Sequence, residues 1–549
     1  MEDVDVVVVG AGTGMFAALA AADRGMSVLV VEKSAHVGGS TSLSGGGFWI
    51  PGNSILRDNG QRDDPERIRT YLRAATRGEV EDERWQTHID VGPAAVDLLR
   101  RATPLKFQFM KEYADYFPEL PGGSATGRAC EPRPFDAKVL GEDRALLRRP
   151  TLTAPFPMPI TGRGYKWLNL VARTPKGVVT GARLMGLGVG GMALGREYLA
   201  GGQALGAGLL AGLRAAGVAV WTNTPLTDLV IEDGRVAGVV VRRNGENVAV
   251  GARRGVILST GGFDRNAQMR GKYQSPSVDG SWSFGAESNT GDVVGIAESH
   301  GADLAFMDAA WWFPAVPVPG PQPGALLAER SLPGQIIVNG HGRRFMNEAV
   351  NYMTAGQIIT GRHSAEDPHI PAWMIFDQRY RNRYLFGAGL FPRQPLPKAW
   401  YDAGIAKQEP TLEKLASSLG MAELPATVKR FNLLANSGRD DDFGRGDSAY
   451  DRYYGDPTIT PNPCLGPIDS GPFYAVQVVP GDLGTCGGIR ADANARALRA
   501  DGSVIPGLYA IGNAAGNAFG RVYPGPGATI GQGLTFGYAA ARDLAGQPG

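Results

Sequence analysis

The sequence predicts an α/β fold whose parallel sheet is drawn from both ends of the chain, with an α+β segment inserted between them. Three observations carry that reading. An apolar strand opens the chain and runs straight into clustered glycines, an Ala-rich helix and a second strand. A strand–hairpin–strand run over 217–264 ends in another glycine pair. A short strand over Leu508–Ile511 is followed by a glycine-rich bend and then a helix.

At 549 residues the chain exceeds one ordinary core. The reading divides it into 1–310 and 483–549, the two parts of the sheet domain, and 311–482, the inserted catalytic domain. The 55 basic and 54 acidic residues nearly cancel, and no basic stripe carries interleaved aromatics, so nucleic acid is not an expected partner. Cys130, Cys464 and Cys486 have no metal-ligand spacing and fit a reducing compartment better than a disulfide scaffold. The six histidines form no HxxxH pair, and no metal site is expected. The acidic start is no secretory signal, and no uncharged apolar run reaches membrane-spanning length. A soluble, cytoplasmic chain is expected, although an apolar substrate is compatible with resting on a membrane surface. The 78 glycines, about twice the usual share, cluster at a few places rather than filling linkers.

The opening strand, Asp5–Val9, leads into Gly10, Gly12, Thr13 and Gly14. A helix then runs to Gly25, and the second strand, Ser27–Val31, ends at Glu32. This β-turn-α-β unit, with an acid about twenty residues beyond the glycines, is the arrangement that binds a dinucleotide. The glycines let backbone approach the pyrophosphate, the helix N-terminus holds its charge, and Glu32 hydrogen-bonds a ribose. The usual third glycine would fall where Met15 stands, which leaves Gly14, Ala17 and Ala18 to supply close helix–strand packing.

FAD rather than NAD follows from the next stretch. After Lys33 come Gly38, Gly39, Ser40 and Thr41, then Ser44, Gly45, Gly46 and Gly47, loops of small side chains suited to wrapping a long flavin nucleotide. The strands expected over 217–264 are Val218–Trp221, Leu226–Glu232, Val236–Arg242 and Gly255–Ser259. Asp233-Gly234 makes the hairpin turn, and Gly261 and Gly262 close the run. With Leu508–Ile511, these complete a Rossmann-like FAD-binding domain assembled from both chain ends.

In the last forty residues, Ile530, Leu534, Tyr538 and Ala541 recur at helical spacing. A helix opening at Gly527 aims free N–H groups and a partial positive charge at whatever precedes it. Tyr523 and Gly527 therefore set a phenol donor beside backbone donors, a site for developing negative charge.

Over nearly its whole length the chain resembles the flavoprotein family of fumarate reductases and 3-ketosteroid dehydrogenases. The opening glycines with Glu32, the Gly38–Thr41 loop, the run Asn289-Thr290-Gly291-Asp292 and the pair Gly512-Asn513 are shared with that wider family. Three segments are similar to those of 3-ketosteroid Δ1-dehydrogenases specifically: Tyr116–Gly123, Arg344–Tyr352 and Tyr523–Gly527. The resemblance implies FAD-dependent 1,2-desaturation of a 3-ketosteroid in steroid and lipid degradation, with Lys33, Asp292, Gly512, Asn513 and Ile530 among the cofactor contacts.

In the site it implies, the Tyr523 hydroxyl and Gly527 N–H hold the 3-keto oxygen and Tyr352 takes the α-proton. Tyr116 assists by hydrogen-bonding Tyr352, although Tyr113, one helical turn away, exchanges roles with it in the alternative assignment. The hydride passes from C1 to flavin N5, the C-terminal helix dipole favours the reduced flavin, and a quinone-like or other acceptor removes the electrons. Rival readings are a dehydrogenase of other regiospecificity or for another cyclic ketone, a fumarate-reductase-like enzyme, and a non-catalytic flavin electron carrier. The second needs cationic groups gripping two carboxylates, and none lies around Tyr352. Glu348 is expected to be a structural acid paired with Arg343 or Arg344, and Cys486 a buried small residue. Trp311, Trp312 and Phe313 either wall an apolar pocket or belong to the core. The segments 150–159 and 181–206 receive no assignment.

Overall fold

In the structure, a computed structural model, the described residues are 3–150, 157–387 and 389–546. The first strand, Asp3–Val9, is the middle of an eight-stranded sheet. It pairs in parallel with Val28–Val31 on one side and Glu246–Leu258 on the other. Ala219–Trp221 extends the first side in parallel, and Val504–Ala510 the second. Val6, Val7 and Val8 are fully buried because both faces of this sheet are covered, which is why the strand reads as an unbroken apolar run.

The hairpin Leu226–Glu232/Arg235–Arg243 pairs onto the long strand Glu246–Leu258. Its turn residues, Asp233 and Gly234, have φ of 48° and 77°, as a two-residue hairpin turn requires. The fourth expected strand is longer than its apolar part, because its first half, Glu246–Gly251, pairs with the hairpin.

Five parallel strands end at one edge of the sheet, and the residues just beyond them are Gly10, Glu32, Thr222, Ser259 and Ile511. Two helices pack together over this edge, Gly14–Ala22 and Ala528–Leu544, with the Ala17 backbone beside Gly537. Gly10 has φ 101°, and a Cβ there would land 2.4 Å from the Ser259 carbonyl oxygen, so only glycine lets the chain turn off the strand. A Cβ on Gly14 would lie 3.0–3.1 Å from the Ser259 and Val8 side chains, so Gly14 supplies the close helix–strand approach that a glycine at position 15 would have given.

A second sheet has six strands. Phe473–Thr485 lies at its centre between Ala310–Val316 and Ala372–Asp377, with Gln335–Val338 beyond the latter, and all of these pairings are antiparallel. Its strands fall within 310–485, whereas those of the first sheet come from 3–258 and 496–510. Within 181–206 lie the end of the helix Pro175–Ala193 and the start of the buried helix Gly201–Ala215. Most of the Pro-rich segment 150–159 falls outside the described residues.

Candidate active site

One cavity of about 480 Å³ runs from the carboxyl edge of the parallel sheet to a cluster of tyrosines beneath the second sheet. At its nucleotide end the wall is built by Gly10, Gly12, Thr13, Glu32, Lys33, Gly39, Ser40 and Thr41, joined by Gly45, Gly46, Gly261, Asp292, Gly512, Asn513 and Ile530. Two glycines expected at the cofactor, Gly14 and Gly262, lie behind the wall. The first packs against Ser259, and a Cβ on the second would strike the Thr485 hydroxyl at 1.9 Å. Glu32 is pinned by the N–H groups of Ala11 and Ser34, each at 2.9 Å, which leaves carboxylate lone pairs for a ribose. Lys33 and Asp292 form an ion pair with each other at 2.7 Å.

These residues fit FAD. Open space lies before Gly45, where a Cβ would meet no atom within 4 Å. The Gly14–Ala22 helix directs its N-terminus at the same wall, the geometry that binds a pyrophosphate. Asn513 is held by the indole N–H of Trp311 at 3.0 Å.

At the other end Tyr116, Tyr352, Tyr523 and Gly527 share the wall. The Tyr116 ring stacks on Tyr523 at 5.0 Å and meets Tyr352 edge-on at 5.2 Å, and Tyr352 and Tyr523 are 5.5 Å apart. Tyr113 lines the same cavity with its ring stacked on Tyr453 at 4.4 Å, whereas the Tyr116 ring adjoins both other tyrosines. The hydrogen bond expected from Tyr116 to Tyr352 is not formed, and the buried Tyr116 hydroxyl has no partner among the described residues. Of the 311–313 aromatics, Phe313 lines the cavity, while Trp311 braces Tyr523 edge-on at 4.6 Å from behind.

The three tyrosine segments are tied through one backbone. Tyr116 N–H donates to the Pro524 carbonyl at 3.1 Å, and the Tyr116 carbonyl accepts from Asn351 Nδ2 at 3.4 Å. Asn351 Oδ1 also caps the helix Tyr352–Arg362 by accepting from Thr354 N–H, which fixes where Tyr352 leaves the chain. Asp115, fully buried beside Tyr116, is held by the Trp49 indole N–H at 2.8 Å and by the Arg128 guanidinium. As expected, Glu348 is structural: it pairs with Arg344 at 2.7 Å and with Arg445, while Arg343 goes to Glu423.

Burial pushes all three phenols up. Tyr352 and Tyr116 lie well above the usual value near 10, with burial the largest cause; neighbouring phenols raise Tyr116 further, and Tyr523 and Tyr113 raise Tyr352 while the Tyr116 hydroxyl works against it. The shift on Tyr523 is milder. Burial raises it, but the Thr529 hydroxyl, Tyr352 and the N–H groups of Thr529 and Gly527 pull it back. Tyr523 is therefore the strongest acid of the three and the best hydrogen-bond donor.

Sequence reasoning missed Thr529, whose Oγ1 lies 2.9 Å from the Tyr523 hydroxyl, although its place in the first turn of a helix after a glycine bend is a readable signal. It also missed Asn351 as a tie and the apolar wall of Met110, Ile160, Phe284 and Leu483.

Comparison with known proteins agrees with this geometry. The FAD binding domain family matches residues 5–530. A 3-oxosteroid 1-dehydrogenase of Mycobacterium tuberculosis is 48% identical over 561 residues, covering 100% of this chain and 99% of its own. A 4-oxocyclohexanecarboxylate 2-dehydrogenase of Sinomonas cyclohexanicum is 36% identical, over 99% of this chain and 93% of its own. The crystal structure of 3-ketosteroid Δ1-dehydrogenase from Sterolibacterium denitrificans in complex with 1,4-androstadiene-3,17-dione superposes with a TM-score of 0.94 at 39% identity, covering both chains completely. A nucleotide wall continuous with a buried tyrosine cluster, and full-length likeness of this order, place the chain in the family of FAD-dependent 3-oxosteroid 1-dehydrogenases.

Proposed function

We propose that this protein introduces the C1–C2 double bond of a 3-ketosteroid. The observation that carries the substrate class is the wall of the tyrosine end. Among the described residues its lining is aromatic, aliphatic or hydroxyl-bearing, and the charged side chains of the cavity, Glu32, Lys33 and Asp292, all sit at the nucleotide end. A carboxylate-bearing substrate would lie there without a counter-charge, a costly burial, whereas a neutral fused-ring ketone loses little on entering.

The residues then divide the work. Tyr523 O–H and Gly527 N–H hold the ketone oxygen and stabilise the charge that gathers on it as the α-proton leaves. One such donor is worth about 3 kcal/mol of barrier. Tyr352 receives the proton and Tyr116, its own hydroxyl unengaged, is placed to support it. Phe313 and the other ring walls keep water out. Bound FAD supplies the hydride acceptor. A quinone-like acceptor, itself a flat uncharged dione, fits the same end of the cavity on the return half of the cycle.

Anaerobic mixing tests the reading. A 3-ketosteroid should bleach the bound flavin within the time of one turnover, and 4-oxocyclohexanecarboxylate should bleach it far more slowly. The reverse order would hand the function to the smaller cyclic ketone, and no bleaching by either would leave an electron carrier.

We also infer that the chain rests on a membrane surface through the helix Pro175–Ala193. No described helix is long and apolar enough to cross a membrane, yet this one leaves Val178, Val179 (65% exposed), Val189 and Met192 (57% exposed) uncovered. Its inner side packs on the helix Gly162–Leu168, which carries the cavity residues Gly162 and Tyr165, so an apolar substrate leaving a bilayer would arrive beside the cavity. Sedimentation with liposomes should be lost in Val179→Glu/Met192→Glu, and equal sedimentation would refute it.

A further inference from the structure

Behind the Ser40 side of the cavity, two carboxylic acids meet at one serine. Asp264 follows the strand Glu246–Leu258, Asp482 lies within Phe473–Thr485, and both are completely buried. Ser283 Oγ stands 3.0 Å from Asp264 Oδ2 and 2.7 Å from Asp482 Oδ1, and it accepts the N–H of Gly285 at 2.9 Å. A hydroxyl has one hydrogen, so it donates to one carboxylate only, and the other contact requires a proton on the acid. Charge gives the same count. Arg270 supplies one positive charge between the two acids, with Nη1 at 2.6 Å from Asp482. The nearby Arg265 is spent on the carbonyls of Gly280, Ser283 and Gly285.

Asp482, which also accepts the Gly484 N–H at 2.9 Å, is therefore the carboxylate. Ser283 donates to it, and Asp264 donates its proton to Ser283. Burial, with the Asp482 charge beside it, pushes the Asp264 acid well up from the ordinary carboxyl range.

The other oxygen of Asp264 faces the cavity side. Asp264 Oδ1 accepts from Asn289 Nδ2 at 3.1 Å, and the second hydrogen of that amide goes to Ser40 Oγ at 2.9 Å. Ser40 Oγ also accepts the Ala286 N–H at 3.0 Å. Both lone pairs of Ser40 are filled, so its own hydrogen is left to point into the cavity it lines.

We propose that Asp264 is a positioning residue for FAD: the proton it shares with Asp482 through Ser283 fixes the Asn289 amide, and the fixed amide turns the Ser40 hydroxyl hydrogen onto the cofactor. The proposal rests on the reading of Ser40 as part of the FAD cradle. Without an acceptor at Asp264, the Asn289 amide is free to present its oxygen to Ser40, whose hydrogen then turns away from the cavity.

Two measurements on the holoenzymes test it. Infrared spectra should show the C=O stretch of a buried protonated carboxyl that is missing from Asp264→Asn, and identical spectra would overturn the shared proton. FAD dissociation, followed by flavin fluorescence on dilution, should weaken about tenfold in Ser40→Ala and in Asp264→Leu, the loss of about one net hydrogen bond. It should weaken no further in the double variant, and Asp264→Asn, which keeps both hydrogen bonds of the protonated acid, should bind FAD within about twofold of wild type. Wild-type affinity in Asp264→Leu beside a weakened Ser40→Ala would overturn the positioning role while leaving Ser40 in the cradle. Wild-type affinity in Ser40→Ala would remove Ser40 from the cradle and the proposal with it. Ser40→Ala and Asp264→Asn leave the Arg270 side untouched, and they keep the test readable if Asp264→Leu does not fold.

Discussion

The hydroxyl of Tyr523 lies 2.9 Å from Oγ1 of Thr529, six residues further on, and this contact holds the phenol across the first turn of the C-terminal helix. It aims the hydroxyl toward the Gly527 N–H and helps to keep Tyr523 the most acidic phenol of the cluster. Tyr523→Phe should lower the rate of flavin reduction by steroid about a hundredfold or more, as for loss of an oxyanion donor. Thr529→Val, which leaves the phenol in place but unaimed, should cost about tenfold, the scale of one net hydrogen bond. Stopped-flow flavin absorbance reads both, and equal losses would mean that Thr529 touches the substrate itself.

Tyr352→Phe should cost about a hundredfold to ten-thousandfold, the usual worth of a general base, with flavin content unchanged. Its pH dependence follows from burial. Because the Tyr352 phenol sits well above its ordinary value, the fraction ionised in the free enzyme is small and grows tenfold with each pH unit. kcat/KM should therefore climb through pH 7–9 without levelling below about 10. A plateau near neutrality would show that something lowers this phenol in the working enzyme.

The same shifts bear on stability. Tyr71, Tyr116, Tyr352 and Tyr450 are all raised by burial, so in the folded state they keep protons that the unfolded chain gives up near pH 10. Unfolding then releases protons, so the part of the stability that these four phenols contribute should be fully present below about pH 9 and be lost as pH rises above 10. Urea midpoints by circular dichroism across pH 8–11 check this, and a flat profile to pH 11 would contradict it.

Much of this was legible in the chain because local rules set it. The turn at Gly10, the acid at Glu32 and the helix through Ile530 and Leu534 each follow from spacing that a strand or helix imposes on near neighbours. The choice between Tyr113 and Tyr116 was not legible, because the helical-turn argument assumed a helix that is absent: residues 110–128 are turns and bends, where side-chain direction has no fixed period. Asn289 is legible only as part of a family run, and it, Asp482 and Asn351 carry no readable role for a different reason. Each acts through a partner far away in sequence, Asp264, Ser283 and Tyr116 respectively, and only the folded chain brings those pairs together. Thr529 lies only six residues beyond Tyr523, but that short separation does not itself show that the bend brings the two hydroxyls together.

Asn351 offers a test of the tie between segments. Asn351→Ala removes the cap of the Tyr352 helix and the bond to the Tyr116 carbonyl, and should destabilise the protein by about 1–2 kcal/mol. Flavin reduction should slow while flavin absorbance stays that of the bound cofactor, because Asn351 does not line the cavity. Loss of stability without any change in rate would show that Tyr352 and Tyr116 keep their places unaided.

Gly527 is the donor that a side chain would remove without touching its N–H. Its φ is 91°, and a Cβ there would lie 2.2 Å from the Gly47 carbonyl oxygen and 2.6 Å from Phe48 N. Neither neighbour can yield easily, since Phe48 pairs with Cys130 in a small sheet and Gly47 lines the cavity. Gly527→Ala must therefore move the helix start, carrying its own N–H away from the Tyr523 hydroxyl. The strain and the left-handed backbone should together cost about 2–4 kcal/mol of stability, seen as a lowered Tm. Because both donors proposed for the ketone oxygen are disturbed at once, the rate of flavin reduction should fall at least as far as in Tyr523→Phe. A folded Gly527→Ala variant that reduces its flavin at the wild-type rate would show that the ketone is held elsewhere.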